Sequence, residues 1–340
     1  MDPITAAARV AMLLETGARS ATYKLALVTA IIDICVEYEP APDGTLAIPL
    51  QEITHRVIAL YWNQTRTFGE QGRLRQLKGS GRSLTDAIAA IRDRLAARGI
   101  KSPEVAREIE DREYLNFART ETLRVSNMPI KHLQTAVKGS HDTDFLYDAS
   151  EFQREMTHRD VERINHIVLR PGVADGLRHA STLLKTYIRA LWTRDVIAIN
   201  PTELEENRLE QFLFGSDRTG LSALTNPLRE LQGNRCFYCD SRLNSSVHVD
   251  HVLPWSVIPI DGVANLVAAD QRCNLAKRAT IPVREHTERA LGRTDLKTIA
   301  KLARFPLLHE RTRSASVGIY AALPHGSLLW RGKDDYLEHI

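Results

Sequence analysis

Three of the four cysteines in this 340-residue chain fall within residues 234–278, as Cys236-Phe237-Tyr238-Cys239 and then Cys273. A Cys-x2-Cys pair on a tight turn aims two thiolates at one point in space, and a second x2 pair further along can complete a tetrahedron around zinc. Here the second pair would be Asp270-Gln271-Arg272-Cys273. The spacing predicts a structural zinc on Cys236, Cys239, Cys273 and Asp270. Asp270 is the open position in that set, because four-thiolate or thiolate-imidazole sets are commoner, and His248 and His286 are the other candidates. The alternative is that no metal binds and the cysteines merely pack.

Between the two knuckles lies His248-Val249-Asp250-His251-Val252-Leu253-Pro254-Trp255, followed by Asn265-Leu266-Val267 and then by Asn274 and Lys277. Alternation around Val247, Val249 and Val252 predicts a short strand that ends at Pro254. Residues 256–263 read as a loop, 265–268 as a second short strand, and Cys273 onward as the start of a helix. Such an order can set an acidic residue and a histidine from the first strand opposite an asparagine on the helix. That suits phosphodiester hydrolysis assisted by one divalent ion.

These residues resemble the HNH, or ββα-metal (His-Me finger), nucleases of bacteria and the HNH domain of RNA-guided DNA nucleases. Those domains have an Asp-His pair, a downstream Asn, and a further Asn followed by Lys, which Asp250-His251, Asn265, Asn274 and Lys277 match. The resemblance implies that His251 is the general base, that Asp250 and Asn274 hold a catalytic magnesium or manganese, and that Asn265 braces the active-site loop. It also implies cleavage that leaves 5′-phosphate and 3′-hydroxyl ends.

Elementary chemistry supports the same roles. An imidazole titrates near neutrality and can accept a proton from water. Carboxylate and amide oxygens suit magnesium, which then stabilises charge developing on the phosphate. Lys277, with Arg272 and Arg278, could hold neighbouring phosphates; for the two arginines a solvated helix face is an equal reading. His248 reads as a surface or supporting residue. Without Asp270 as a ligand, the unit would rest on packing by Phe237, Tyr238, Val252, Leu253, Trp255, Leu266 and Val267, a small core that needs a staple or a neighbour.

The whole chain, 43% hydrophobic and 26% charged with a net charge of +3, describes a globular protein of two or three domains. It has no apolar run long enough for a membrane span, and the segment MDPITAAARV does not read as a secretion signal. The cysteine usage fits a reducing cytoplasm, with Cys35 a buried helix residue. Residues 66–101 carry nine basic against three acidic residues, and residues 102–166 nine against thirteen. The first stretch could track a phosphate backbone, or its arginines could pair with the acidic stretch that follows.

Helical periodicity marks residues 4–17, 22–38, 49–62, 83–98, 102–119, 173–199, 222–232 and 282–302, with short strands at 45–48 and 164–169. Gly79-Ser80-Gly81 reads as a joint, residues through Met128-Pro129 as irregular, and 138–150 as a polar run. Residues 209–214 should dock onto the preceding domain, and 305–340 should pack on the body. The expected fold is α+β and mostly α-helical. A helical region (1–101, winged-helix-like and carrying the basic stripe; 102–221) precedes a zinc-stapled ββα-metal nuclease unit (222–304) and a packing segment (305–340).

The function this predicts is a cytoplasmic, metal-dependent endonuclease that nicks or cuts DNA in bacterial restriction or phage defence. A defence-system partner protein, or a homodimer for double-strand cleavage, would fit that setting. The opposing readings are a nucleic-acid-binding scaffold without catalysis and an RNA-cleaving enzyme, since hydrolysis of this type needs no 2′-hydroxyl.

Overall fold

The computed structural model describes residues 2–16, 21–79, 83–134, 144–200, 204–215, 218–244 and 246–340. Ser80, Gly81 and Arg82, and residues 138–143 of the polar run, lie outside them. The chain forms two compact units, Met1–Gly215 and Ser216–Ile340. The first is mostly helical, the second mixes short helices with strands, and three two-stranded sheets are found among the described residues. No helix is long and apolar enough to cross a membrane.

The first unit is built around the helix Tyr23–Glu37, whose residues 25–28 and 30–37 are all buried. A helix that is apolar nearly all round must be covered on every side. The helices Leu50–Trp62, Val173–His179 and Ser181–Ile199 pack against it. The buried charges beside this helix are paired: Lys185 Nζ lies 2.5 Å from Asp33, and Arg56 reaches Glu37 at 2.6 Å and Glu52 at 2.8 Å. Removing one partner of such a pair strands a buried charge, at a cost of about 3–5 kcal/mol. Strand β1 (Leu46–Pro49) pairs antiparallel with β2 (His166–Leu169), so that buried Leu46 and Ile48 face Leu169 and Ile167.

Several expected elements are divided in the structure. Residues 102–119 form Pro103–Glu108 and Arg112–Val125, because Glu110 takes a positive φ of 53° and the Asp111 carboxylate accepts from Tyr114 N, capping a new helix. The stretch around Met128-Pro129 is a π-helical turn, Ser126–Ile130, where Pro129 has no N–H to give to the ordinary ladder. Residues 173–199 divide into Val173–His179 and Ser181–Ile199; Arg178 ties the first piece to the Cys35 and Tyr38 carbonyls.

Part of the basic stretch is paired within the first unit. Arg73 meets Asp93 at 2.5 Å, Arg94 bonds Glu113, and Arg98 reaches Asp111 at 2.7 Å and Glu113 at 3.1 Å. These pairs are partly exposed and screened by solvent, and two of the arginines, Arg94 and Arg98, take their acidic partners from the stretch that follows.

In the second unit, β3 (Val247–His251) and β4 (Leu266–Asp270) form an antiparallel pair, with Asp250 opposite Val267 and His251 opposite Leu266. The helix Gln271–Lys277 leaves β4 without an intervening loop. Strand β4 is buried throughout and packs with Leu224, Leu228, Val263 and Trp330. Residues 282–302 form Arg284–Leu291 and Leu296–Ala303, separated at Asp295, which has φ 62°. The C-terminal residues fold as the helix His309–Ala322 and a hairpin of β5 (Leu328–Gly332) and β6 (Asp335–Glu338), and Trp330 of β5 lies fully buried in the core.

Candidate functional site

The cysteine turn is docked onto the sheet by its backbone. Cys236 N donates to Ser241 O at 2.8 Å, Asp240 N to Cys236 O at 3.0 Å, and Phe237 N to Ala268 O of β4 at 3.0 Å. Gln232 clamps the same edge, donating to Ala268 O at 2.7 Å and accepting from Ala268 N at 2.8 Å. The turn brings the sulfurs of Cys236, Cys239 and Cys273 within 4.8 Å of one another, and all are free thiols. Asp270 N donates to Cys236 Sγ at 3.3 Å, and the Ser241 hydroxyl lies 3.2 Å from Cys239 Sγ.

Burial would raise the Cys239 pKa, but Ser241 and the two neighbouring thiols outweigh it and lower it. Three converging sulfurs with hydrogen-bond donors around them form a donor set that could hold zinc.

Asp270 does not join them. Its carboxylate accepts from Arg272 N at 2.8 Å and Arg272 Nε at 3.2 Å, capping the helix Gln271–Lys277. An Asp just before a helix satisfies an orphan backbone N–H, and Asp270 Oδ1 takes that role. His286 is engaged elsewhere, bonding Arg331 O at 2.8 Å, and neither it nor His248 belongs to the group of converging ligand atoms.

Asp250 and His251 close strand β3. Oδ2 of Asp250 accepts from the Tyr238 hydroxyl at 2.6 Å and faces Lys277 Nζ at 3.1 Å. Oδ1 has no hydrogen-bond partner among the described residues. Burial, reinforced by the Asp250 charge, pushes the Tyr238 phenol well above its ordinary range, so it stays a donor. His251 is 7% exposed; its Nε2 lies 2.6 Å from Asp261 Oδ1, and its ring sits 5.3 Å from that of Trp255.

Asn265 is fully buried and braces residues 252–262 with its amide, accepting from Leu253 N at 2.8 Å and donating to Leu253 O and Ile260 O at 3.1 and 3.2 Å. Arg293 holds the short turn Val263–Asn265 from behind through the carbonyls of Val263, Ala264 and Leu266.

On the helix, Asn274 is half-buried, and its side chain makes no hydrogen bond among the described residues. Lys277 is 0% exposed; Nζ donates to His251 O at 2.6 Å as well as meeting Asp250. Burial lowers its pKa, with the Asp250 charge opposing the shift. The ammonium is thus directed inward, onto Asp250 and the His251 carbonyl. Arg272 and Arg278 are exposed. Tyr238, Asp261 and Arg293 are the residues that sequence reasoning missed in these roles.

Residues 4–213, most of the first unit, match the family described as a domain of unknown function (DUF8808). The chain belongs to that family. Residues 236–283 match a second family model, HNH endonuclease, over a small part of the chain that contains the three cysteines, Asp250, His251, Asp261, Asn265, Asn274 and Lys277. No curated protein and no solved structure matches the chain. The HNH-like segment makes nuclease activity on a nucleic acid the coarse reading of this site.

Proposed function

We propose that the HNH-like segment is a metal-dependent endonuclease that hydrolyses phosphodiester bonds of DNA. The observation that supports this best is the His251–Asp261 contact beside Asp250. A carboxylate can only accept, so Asp261 puts the imidazole proton on Nε2 and leaves the lone pair on Nδ1. His251 then takes a proton from water through Nδ1, while Asp261 and Trp255 hold the ring in place. The water oxygen bonds to phosphorus and the bond to the 3′-oxygen breaks, giving a 3′-hydroxyl, protonated by solvent, and a 5′-phosphate.

The donor set of Asp250 Oδ1 and the Asn274 amide oxygen is hard and unengaged among the described residues, which fits magnesium or manganese. That ion, when bound, offsets charge developing on the phosphate and the leaving oxygen. Asn265 keeps residues 252–262 in register with β4, and Lys277 offsets the Asp250 charge from the interior. Cys236, Cys239 and Cys273 would hold a structural zinc that fixes the turn.

The test is supercoiled plasmid incubated with the purified chain and Mg2+, Mn2+ or chelator, beside His251→Ala and with an RNA substrate in parallel. Metal-dependent nicking of plasmid that falls at least about a hundredfold in the variant is expected. Equal inertness of both folded proteins on DNA would leave the scaffold reading standing, and cleavage of RNA alone would replace the substrate.

A further inference from the structure

We propose that Tyr238 is a positioning residue: from between the zinc-site cysteines, its hydroxyl fixes one oxygen of Asp250 so that the other is presented to the divalent ion. The proposal rests on the nuclease reading above. Its ground is the contrast between the two Asp250 oxygens. Oδ2 is held from two sides, by the Tyr238 hydroxyl at 2.6 Å and the Lys277 ammonium at 3.1 Å, whereas Oδ1 is unengaged among the described residues.

A carboxylate turns readily about its Cβ–Cγ bond, and two donors on one oxygen remove that freedom. The donors come from opposite directions in sequence, one before β3 and one from the helix after β4. Tyr238 itself has little room to move. Its ring lies edge-on to Trp330 at 4.9 Å, to Phe237 at 5.2 Å and to His286 at 5.3 Å. Its backbone position is set by Cys236 and Cys239 on either side and by the bond from Phe237 N to β4. The path from the thiol cluster to Asp250 is therefore one rigid side chain long.

Tyr238→Phe keeps the ring and deletes the hydroxyl. The full-length variant and wild type are compared for zinc per chain, melting temperature, Mn2+ affinity by electron paramagnetic resonance, and nicking rate against Mn2+ concentration. Groups that orient a metal ligand typically change metal affinity by about ten- to a hundredfold. The expected result is Mn2+ affinity weakened about tenfold, a higher Mn2+ concentration at half-maximal rate, zinc content as in wild type, and a variant that is still folded at the assay temperature although its melting temperature falls by the loss of one buried hydrogen bond. Unchanged Mn2+ affinity in the variant, beside a wild type that binds Mn2+ and nicks, overturns the positioning role alone. Loss of zinc, or a variant unfolded at the assay temperature, assigns the hydroxyl to folding and also overturns it. A wild type that neither binds Mn2+ nor cuts overturns the nuclease reading and this proposal with it.

Discussion

Asp261 holds His251 by its Nε2 nitrogen, at 2.6 Å, from a loop otherwise anchored by Asn265. If this contact sets the tautomer and the ring orientation, Asp261→Ala will slow plasmid nicking about ten- to a hundredfold. Mn2+ affinity will stay at the wild-type value, since Asp250 and Asn274 are untouched. Parallel nicking and metal-binding measurements check both halves.

The thiol cluster predicts one zinc per chain. Cys273→Ser will lower that count and the melting temperature of the full-length protein, whereas Cys35→Ser, in the first unit's core, will leave the zinc count at one. Metal analysis of dialysed protein gives the number directly.

Lys277→Met removes the buried cation and leaves the Asp250 carboxylate with only the Tyr238 donor, a loss of about 3 kcal/mol. Urea unfolding of the two proteins measures it. Because the ammonium points inward, the slope of DNA affinity against salt will not change; a slope reduced by about one unit would mean that Lys277 does reach a phosphate.

Acid should destabilise the first unit. Burial opposes ionisation of Glu52, but Arg56 and Arg107 outweigh it and hold the pKa at about 2. A depressed carboxylate stabilises above its unfolded pKa, near 4.3, and loses that contribution as pH falls toward 2. Burial lowers His55 to about 4, so its neutral form adds a loss that begins as pH drops below 6.5. The Glu52 contribution is on the order of 3 kcal/mol. Melting curves of the full chain from pH 7 to pH 3 will shift less in Glu52→Gln than in wild type below pH 4.5.

What was legible in the sequence was whatever is encoded at short range. Cysteine spacing gave the converging thiols, alternation gave β3 and β4, and the helical period gave the Tyr23–Glu37 core helix, because each depends on neighbours within a turn or a strand. Asp270 carried two local signals at once, ligand spacing and helix cap, and the backbone's unsatisfied N–H took the side chain. Tyr238 looked like packing because its ring does pack; only tertiary structure reveals where the hydroxyl ends. Asp261 sat in a loop whose path is set by Asn265 and Arg293, contacts that no periodicity reports. Spacing likewise put Lys277 on the helix beside Asn274, but burial is not a property of spacing.

The pairing of Leu46–Pro49 with His166–Leu169, together with the buried bond between Asp33 and Lys185, also constrains the order of events during synthesis. As the chain leaves the ribosome, the first long helix appears with an acidic group whose cation has not yet been made, beside a strand that still lacks its neighbour. Collapse before residue 185 emerges would strand that carboxylate in an apolar interior, a cost that disfavours an early compact state. Loop closure over so long an intervening stretch makes the first unit a comparatively slow folder for a helical protein, and dependent on nearly its full length before it can hold its shape.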